Sequence, residues 1–358
     1  MNRHNLNVLV AGMIAGHSPQ GGAAWATLQY VLGLRRLGHE VHLVEFAPNP
    51  TEDTRRYFNG VIDRFGITGQ LIAELRPLTG FDVLFNLSGM LVPEVVTQIP
   101  IRVYLDLDPG FNQLWHQDGI DMHFDGHTHF VTVGLAIGTA ECNVPTHGFE
   151  WIRTVPPVVL DAWPVAKRIE TNALTTVANF RSYGPILRGP EFYGQKVHSL
   201  RELIHLPELT GERFALAMTV HPAEHDDLAA LEASGWELVD PVAKAGTPDL
   251  YRDFVSGSRG EIGIAKSGYV VSRCGWFSDR SACYLASGRP VIAQETGFSG
   301  HIPTGTGILA FNDVTGAAVA VEQVRSEYTF HAHAARRIAE EYFDSDRVLR
   351  RLLERTVK

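Results

Sequence analysis

The stretch RCGWFSDRSACYLASGRPVIAQETG, residues 273–297, places a polar helix start directly before a buried strand. Ser278 is a preferred N-cap residue type, so the run after it predicts a helix over 279–287. The run PVIAQ at 290–294 is apolar over its first four residues, which predicts a strand of a parallel sheet. Free amides at a helix N-terminus attract phosphate, and flanking arginines add positive charge. The stretch therefore predicts either an anion site at the edge of an α/β sheet or an ordinary capped helix with solvated arginines.

Length and composition indicate a globular protein of two domains. The chain has 358 residues, of which 45% are hydrophobic and 20% charged, and it is too long for one core of ordinary size. The net charge of −9 argues against nucleic acid as the main partner, because phosphate binding needs a basic face. The cysteines Cys142, Cys274 and Cys283 fit neither a disulfide framework nor a zinc pattern, which favours the reducing cytoplasm.

The sequence predicts a protein without membrane segments. MNRHNLNVLVAGM at 1–13 lacks the apolar core of a signal peptide and leads directly into a strand. The longest apolar candidate, 130–140, is interrupted by glycines, whereas a membrane helix needs roughly 18 apolar residues. We therefore expect a soluble, cytoplasmic protein with no transmembrane segment.

Predicted strands and helices alternate along the chain, with one interruption. A strand at 6–12, a helix at 23–38 and a strand at 39–46 form a βαβ unit, which implies a parallel sheet covered by helices. A proline-rich break at 153–168 predicts a domain boundary, and the tail 331–358 is predicted as helix throughout. The other predicted strands are 81–88, 101–107, 129–134, 174–180, 214–220, 236–239, 261–265 and 307–311, and the other predicted helices are 222–234 and 247–257. The pattern predicts two doubly wound parallel-sheet domains facing across a cleft, with ligands at the carboxyl ends of the strands.

Three stretches resemble the GT-B glycosyltransferases, nucleotide-sugar-dependent enzymes of the family 1 and family 4 types. RCGWFS at 273–278 is similar to their His-Cys-Gly-Trp-Asn-Ser run, with arginine for histidine and phenylalanine for asparagine. YLASGRPVIAQETGFSGHI at 284–302 is similar to the Ala-x-Gly-x-Pro-Val-Val-Ala segment of retaining members. GGAAWATLQYVLGLRRLGHEVHLVEF at 21–46 resembles the first helix and second strand of that fold. The resemblance implies two Rossmann-like domains in the GT-B arrangement.

The resemblance also implies donor-binding residues. Arg273, Ser278 and the amides around Asp279 would hold the donor diphosphate, and Glu295, Thr296 and Gly297 would contact the transferred sugar. Further donor-binding candidates follow other strands of the two domains: Gly21, Gly22, Arg181 and Lys266.

One departure from the family leaves the stereochemistry open. The paired glutamates of many retaining members would fall at Gly275 and Cys283, neither of which is acidic. Asp279 and Glu295 are substitutes for them, or are exposed surface acids. The sequence therefore does not decide between a retaining and an inverting enzyme.

The loop after the first predicted strand supplies a candidate catalytic group. His17 lies there, inverting relatives carry a histidine in the equivalent loop, and an imidazole can accept a hydroxyl proton near neutral pH. Asp106 is the expected partner that fixes the tautomer of His17, although Asp106 and Asp108 could instead cap the next helix. A structural role for His17, or a sugar or phosphate contact in a retaining enzyme, is the alternative. The loop is not G-x-G-x-x-G, which disfavours a dinucleotide site, although Glu45 ends the second strand where such sites carry an acid.

A histidine-rich segment raises the possibility of a metal site. WHQDGIDMHFDGHTHF at 115–130 includes an H-x-H pair, as in some hydrolases, but no later ligand set follows it. Its histidines are His116, His123, His127 and His129. We expect no metal, because GT-B enzymes neutralise the leaving diphosphate with helix dipoles and basic side chains.

The sequence as a whole predicts a metal-independent glycosyltransferase of the hexosyltransferase type. It would move a sugar from a nucleotide-diphosphate sugar, which is a co-substrate rather than a cofactor, to a hydroxyl or other nucleophile of a small-molecule or glycan acceptor in the interdomain cleft. The expected domains are an acceptor domain at 1–165, a donor domain at 166–335 and a final helix at 336–358 that crosses back to the first domain. The alternatives are a sugar-nucleotide epimerase, a phosphorylase, or a catalytically silent partner subunit. The oligomeric state stays open.

Overall fold

The computed structural model describes residues 5–357, and its first half forms one parallel sheet of seven strands. Their order across the sheet is 3-2-1-4-5-6-7, and every pairing is parallel. In chain order the strands are β1 (Asn7–Ala11), β2 (Glu40–Phe46), β3 (Thr68–Ile72), β4 (Val83–Leu87), β5 (Ile101–Asp106), β6 (His129–Thr132) and β7 (Trp151–Arg153). Central strands such as β4 are buried at every residue, as a sheet covered on both faces requires.

The second half forms a separate parallel sheet of six strands. In chain order the second half contains β8 (Thr171–Val177), the hairpin strands β9 (Ile186–Arg188) and β10 (Glu191–Tyr193), then β11 (Phe214–Ala217), β12 (Trp236–Val239), β13 (Ser258–Gly263), β14 (Val291–Gln294) and β15 (Ile308–Phe311). The sheet order is β12-β11-β8-β13-β14-β15, with the hairpin outside it. In both sheets the order of the strands reverses beside the first strand, β1 or β8. Such a reversal creates a crevice at the carboxyl ends of the neighbouring strands. The predicted fold class, two Rossmann-like doubly wound sheets, is confirmed.

Fourteen α-helices connect and cover the strands among the described residues. They are α1 (Gly21–Arg36), α2 (Glu52–Phe65), α3 (Pro93–Val96), α4 (Phe111–Gln117), α5 (Lys196–Glu202), α6 (Leu206–Thr210), α7 (His225–Ala233), α8 (Pro241–Ala245), α9 (Pro248–Gly257), α10 (Ser267–Ser272), α11 (Asp279–Ala286), α12 (Val314–Ser326), α13 (Tyr328–Ile338) and α14 (Ser345–Thr356). None of the helices between residues 5 and 357 is both long and apolar enough to cross a membrane.

The prediction of one uninterrupted helix over 331–358 is wrong. Helix α13 ends at Ile338 and a π-helical turn follows over Ala339–Phe343. Asp344 then leaves helical geometry, and its side chain accepts a hydrogen bond from the amide of Asp346 to begin α14. The apolar spacing continues through the break, so periodicity alone could not reveal it, whereas an aspartate cap starts a new helix.

Helix α14 packs on α1 of the first sheet. The close approach needs Gly33, because a Cβ there would lie 2.5 Å from Cδ1 of Leu349. Arg36 also pairs with Asp346 at 3.1 Å. The first sheet ends at Arg153 and the second begins at Thr171, on either side of the predicted limit at 165/166. The chain therefore places its last helix beside its first.

The two halves touch along α1 and α9. The indole of Trp25 donates a hydrogen bond to the carbonyl of Pro248 at 2.8 Å. A Cβ on Gly21 would lie 2.2 Å from the carbonyl oxygen of Thr247, so only glycine allows this approach. Farther along the cleft, Gly134 and Trp276 form an isolated antiparallel bridge. These contacts bound a cavity between the sheets.

Candidate functional site

A cavity of about 420 Å³ lies between the two halves, at the carboxyl ends of their strands. The first half lines it with the loop before α1 and with Asp108, which follows β5. The second half lines it with residues after β8 and β13 and with the start of α11. The cavity therefore occupies the crevice in which doubly wound sheets bind their ligands.

Helix α11 presents a capped N-terminus to this cavity. Ser278 Oγ accepts a hydrogen bond from the amide of Arg280 at 3.2 Å, as the sequence predicts. Ser278, Asp279 and Arg280 all line the cavity, and burial raises the pKa of the Asp279 carboxyl. The remaining amides of the first turn, together with the helix dipole, favour an anion at this point.

Three basic side chains meet beside the start of α11. They are Lys196 at the start of α5, Lys266 after β13, and Arg280, and all three line the cavity. Arg280 Nε donates to Oε1 of Glu261 at 2.5 Å and Nη1 donates to the carbonyl of Val177 at 3.0 Å. Its buried Nη2 has no hydrogen-bond partner among residues 5–357. A buried guanidinium with an unused hydrogen-bond donor favours a bound anion, which would accept that hydrogen bond.

Lys196 is the most unusual of the three cations, because it is only 7% exposed. Its ammonium donates a hydrogen bond to the carbonyl of Ile264. Burial, and then the charges of Arg280 and Lys266, lower the pKa of Lys196 well below its ordinary value. A nearby anion would stabilise its charged form. The sequence reasoning missed Lys196, because a lysine at a helix start is normally solvated.

Asp108 joins the two halves at the edge of the cavity. Its Oδ2 accepts hydrogen bonds from Lys266 Nζ at 2.8 Å and from the Tyr183 hydroxyl at 2.6 Å, and Oδ1 accepts from the Tyr269 hydroxyl. Burial and the Asp108 charge raise the pKa of both phenols, so they remain protonated donors. One carboxylate of the first half is thereby held by three side chains of the second half.

Several predicted donor-binding residues lie in the cavity and others do not. Gly22, Lys266, Ser278 and Asp279 line it, whereas Gly21 packs against α9 as described above. Arg181 is paired with Glu224 on the surface. Arg273 is exposed, ends α10 in the left-handed conformation at φ 48°, and is not among the lining residues.

The predicted sugar-contacting residues form a turn after β14, outside the 420 Å³ cavity. The Glu295 carboxylate accepts hydrogen bonds from the amides of Thr296 at 3.0 Å and Gly297 at 2.5 Å. Thr296 Oγ1 donates to the carbonyl of Trp276 at 2.6 Å. Gly297 has φ 98°, and a Cβ there would lie 2.8 Å from the carbonyl oxygen of Arg273. In this structure the three residues shape the turn that supports the loop before α11.

The structure does not bring Asp106 to His17. Asp106 is fully buried, and Oδ1 accepts a hydrogen bond from Asn112 at 2.7 Å while Oδ2 accepts from Gln113 and Thr132, each at 2.8 Å. Burial, opposed by these hydrogen bonds, raises its pKa to about 6. His17 is exposed in the loop whose next three residues, 18–20, line the cavity. Asp106 organises the loop after β5, and Asp108, two residues on, is the carboxylate that reaches the cavity.

Glu45 occupies three backbone amides of the loop after β1. Its carboxylate accepts hydrogen bonds from the amides of Ile14 at 2.7 Å, Ala15 at 2.8 Å and Gly16 at 2.6 Å. Amides of this loop are the groups that would otherwise cradle a phosphate. The acid at the end of β2 therefore holds the loop after β1 in place.

The histidine-rich segment is used for packing. His127 contacts the side-chain amide of Asn86 at 3.1 Å and the carbonyl of Phe124 at 3.3 Å, and burial lowers its pKa to about 4. His116 packs edge-on against His147. His129 contacts the Thr128 hydroxyl at 2.9 Å. Within residues 5–357 no group of three or more His, Cys, Asp or Glu side chains has the arrangement of a metal site.

Comparisons with known proteins identify the architecture. No protein-family model matches the chain, and no curated protein matches its sequence. An alpha-glucosyltransferase in complex with UDP and a 13-mer DNA superposes with a TM-score of 0.65 at 10% identity, over 100% of both chains. Anabaena Alr3699/HepE in complex with UDP-glucose gives a TM-score of 0.63 at 12% identity, over 98% of this chain and 99% of that one. At such identity the likeness establishes the fold, which is GT-B.

Proposed function

We propose that the protein is a glycosyltransferase that binds the diphosphate of a nucleotide-sugar donor in the 420 Å³ cavity. The observation that carries the proposal is the meeting of Lys196, Lys266 and Arg280 at the capped start of α11. Three cations around a helix N-terminus suit a diphosphate better than any neutral ligand. UDP or UDP-glucose in the structures of proteins with the same fold supports this choice of donor.

The proposed chemistry is stabilisation of the leaving group. Negative charge develops on the diphosphate as the bond to the sugar breaks, and fixed donors in a closed cleft stabilise that charge without reorganising. Lys196, Arg280 and the α11 amides are held in place by the packing described above. These groups perform the neutralisation that a metal would otherwise supply, so the proposal includes no metal and no cofactor. The hexosyltransferase class, with a small-molecule or glycan hydroxyl as acceptor, completes the proposal.

The proposed donor set differs from the one predicted from sequence. It retains Gly22, Lys266, Ser278 and Asp279 and adds Lys196 and Arg280, all of which line the cavity. It leaves out residues that do not line it: Gly21, Arg181, Arg273, Glu295, Thr296 and Gly297.

For an inverting enzyme, His17 remains our proposal for the base that accepts the acceptor hydroxyl proton. Its exposed ring stands in the loop that forms one wall of the cavity. His17→Ala should lower turnover by about 10²–10⁴ with donor affinity unchanged, because general-base catalysis contributes that much. Steady-state kinetics and calorimetric titration with the nucleoside diphosphate measure the two quantities. Turnover within a factor of a few of the wild type would remove His17 from the mechanism.

The activity is tested by a panel of nucleotide-diphosphate sugars labelled in the sugar. We expect one donor to release its nucleoside diphosphate while the label moves to an added acceptor or, more slowly, to water. Conversion of the donor to an epimer without release of the nucleotide would establish an epimerase instead. Binding without any turnover across the panel would favour a silent partner subunit, and no binding at all would reject a nucleotide-sugar protein.

A further inference from the structure

A second cavity, of about 410 Å³, lies between the end of β7, His301 and one side of α14. We call it the α14 pocket. The lining residues that carry or can gain a charge near neutral pH are Arg153, His301, Glu341, Arg347, Arg351 and Arg355. Four arginines and one glutamate leave a net charge of +3, in a protein whose net charge is −9. The pocket is therefore positively charged, although the protein as a whole is negatively charged.

The helix places three of these arginines in one row. Arg347, Arg351 and Arg355 follow one another at intervals of four residues, so their Cβ atoms lie about 5–6 Å apart on the same face. Arg153 reaches the pocket from the opposite wall, at the end of β7. Like charges four residues apart repel and destabilise a helix, and a bound anion would offset that repulsion.

The guanidinium groups keep an unpaired positive charge in the described part of the chain. None of the four arginines forms an ion pair with any residue between 5 and 357. Arg153 Nη1 donates to the carbonyl of Leu135 at 3.4 Å, and Arg347 Nη1 donates to the carbonyl of Glu341 at 3.0 Å. These bonds position two of the side chains but supply no negative charge. The arrangement leaves guanidinium donors available to a ligand.

The α14 pocket is separate from the donor cavity. The loop after β6 crosses to the second half, where the amide of Leu135 donates to the carbonyl of Gly275 at 3.3 Å and the amide of Ala136 donates to the carbonyl of Cys274 at 3.0 Å. Leu135 lines the α14 pocket, whereas Trp276, beside the same bridge, lines the donor cavity. A ligand in one cavity therefore does not share side chains with a ligand in the other.

We propose that the α14 pocket binds a small ligand with two phosphate groups. Each phosphate monoester carries about −1.5 to −2 near neutral pH, so two of them balance the net +3 of the lining, whereas two carboxylates bring only −2. Planar guanidinium groups bind phosphate oxygens in pairs. The volume of the pocket also suits a ligand of this size. The proposal does not depend on the function of the donor cavity.

The probes are pyrophosphate and tripolyphosphate, titrated calorimetrically into full-length protein carrying Lys196→Met, with succinate as the dicarboxylate comparison. Both phosphate probes should bind this protein more tightly than succinate. Adding R351Q and R355Q should weaken binding at least tenfold, which is about 1.4 kcal/mol, because both guanidinium groups donate charge-assisted hydrogen bonds to the phosphates.

The matched control is the pair Arg337→Gln and Arg350→Gln, which removes the same charge from exposed positions outside the pocket. This control should change the affinity by no more than about twofold, because neither side chain lines the pocket and charges at a distance from the ligand are screened by salt. Thermal melting of both double variants is measured to check that they are folded. Absence of phosphate binding, equal losses in the two double variants, or succinate binding as tight as pyrophosphate would overturn the proposal.

Discussion

Asp106 and Asp108 are two residues apart and have opposite roles. Asp106 is buried beneath the loop after β5 and is satisfied by three side chains of its own half. Asp108 reaches the other half and holds Lys266, Tyr183 and Tyr269. The sequence showed that both follow a parallel strand, which places them near the ligand edge. It could not show which one turns inward, because that depends on partners distant in sequence.

Asp108→Asn should weaken the contact between the halves. The substitution keeps the shape and one acceptor but removes the charge opposite Lys266, and both side chains are largely buried, at 22% and 15% exposure. We expect the free energy of unfolding in urea to fall by about 1.5–3 kcal/mol, the contribution of a hydrogen bond to a charged group. The control Asp161→Asn breaks a surface pair with Arg36 and should cost less than about 1 kcal/mol. Equal effects of the two substitutions would contradict the role given to Asp108.

Asp106 should make stability depend on pH in a defined direction. Its pKa is raised to about 6 in the folded protein, mainly by burial, while an unfolded aspartate titrates near 3.9. Between these values the folded state holds a proton that the unfolded state has lost, so stability falls as pH rises from about 4 to 6. The unfolding free energy of the wild type minus that of Asp106→Asn should fall by up to about 3 kcal/mol across this window and be flat above it. A difference that is constant or rises with pH would contradict the assignment.

The helices show which structural features a local sequence pattern can predict and which it cannot. The start of α11 was predicted correctly because an N-cap serine acts on amides two residues away. The break at Asp344 was missed because the apolar spacing of α13 and α14 continues across it. Where α14 packs is decided by α1, more than 300 residues away in the chain, so no local pattern could specify the contact.

Two glycine substitutions test the packing of α14 on α1. Gly33→Ala places a Cβ 2.5 Å from Leu349 and 3.0 Å from Ser345, so it should lower the free energy of unfolding by about 1–3 kcal/mol despite the better helix propensity of alanine. Gly60→Ala lies in α2, with nothing within 4 Å of the new Cβ, and should raise it by about 0.5–1 kcal/mol. Urea denaturation measures both. A stabilising Gly33→Ala would mean that the two helices are not packed as described.

At the scale of the whole molecule, two sheets bring together side chains that the sequence keeps far apart. Lys196 follows the β9–β10 hairpin, Lys266 and Arg280 lie between β13 and β14, and Asp108 follows β5 of the first sheet, yet all four line one cavity. The sequence therefore predicted the fold class and the capped helix beside the cavity, through residues that act locally. The sequence also predicted that Arg273 and the turn at 295–297 bind the donor, but these residues do not line the cavity. Lys196, which is buried and does line it, was identified by no local pattern.

Calorimetric titration of UDP into the wild type and into Lys196→Met tests the central claim most directly. Methionine has a similar volume and removes a buried charge, so the variant should fold. We expect the wild type to bind UDP and Lys196→Met to bind it at least tenfold more weakly, through loss of a charge-assisted contact of about 1.4 kcal/mol or more. The control Lys167→Met removes an exposed lysine outside the cavity and should leave the affinity unchanged. If Lys196→Met binds UDP as tightly as the wild type, or if the wild type binds no nucleoside diphosphate, the donor diphosphate does not occupy this cavity.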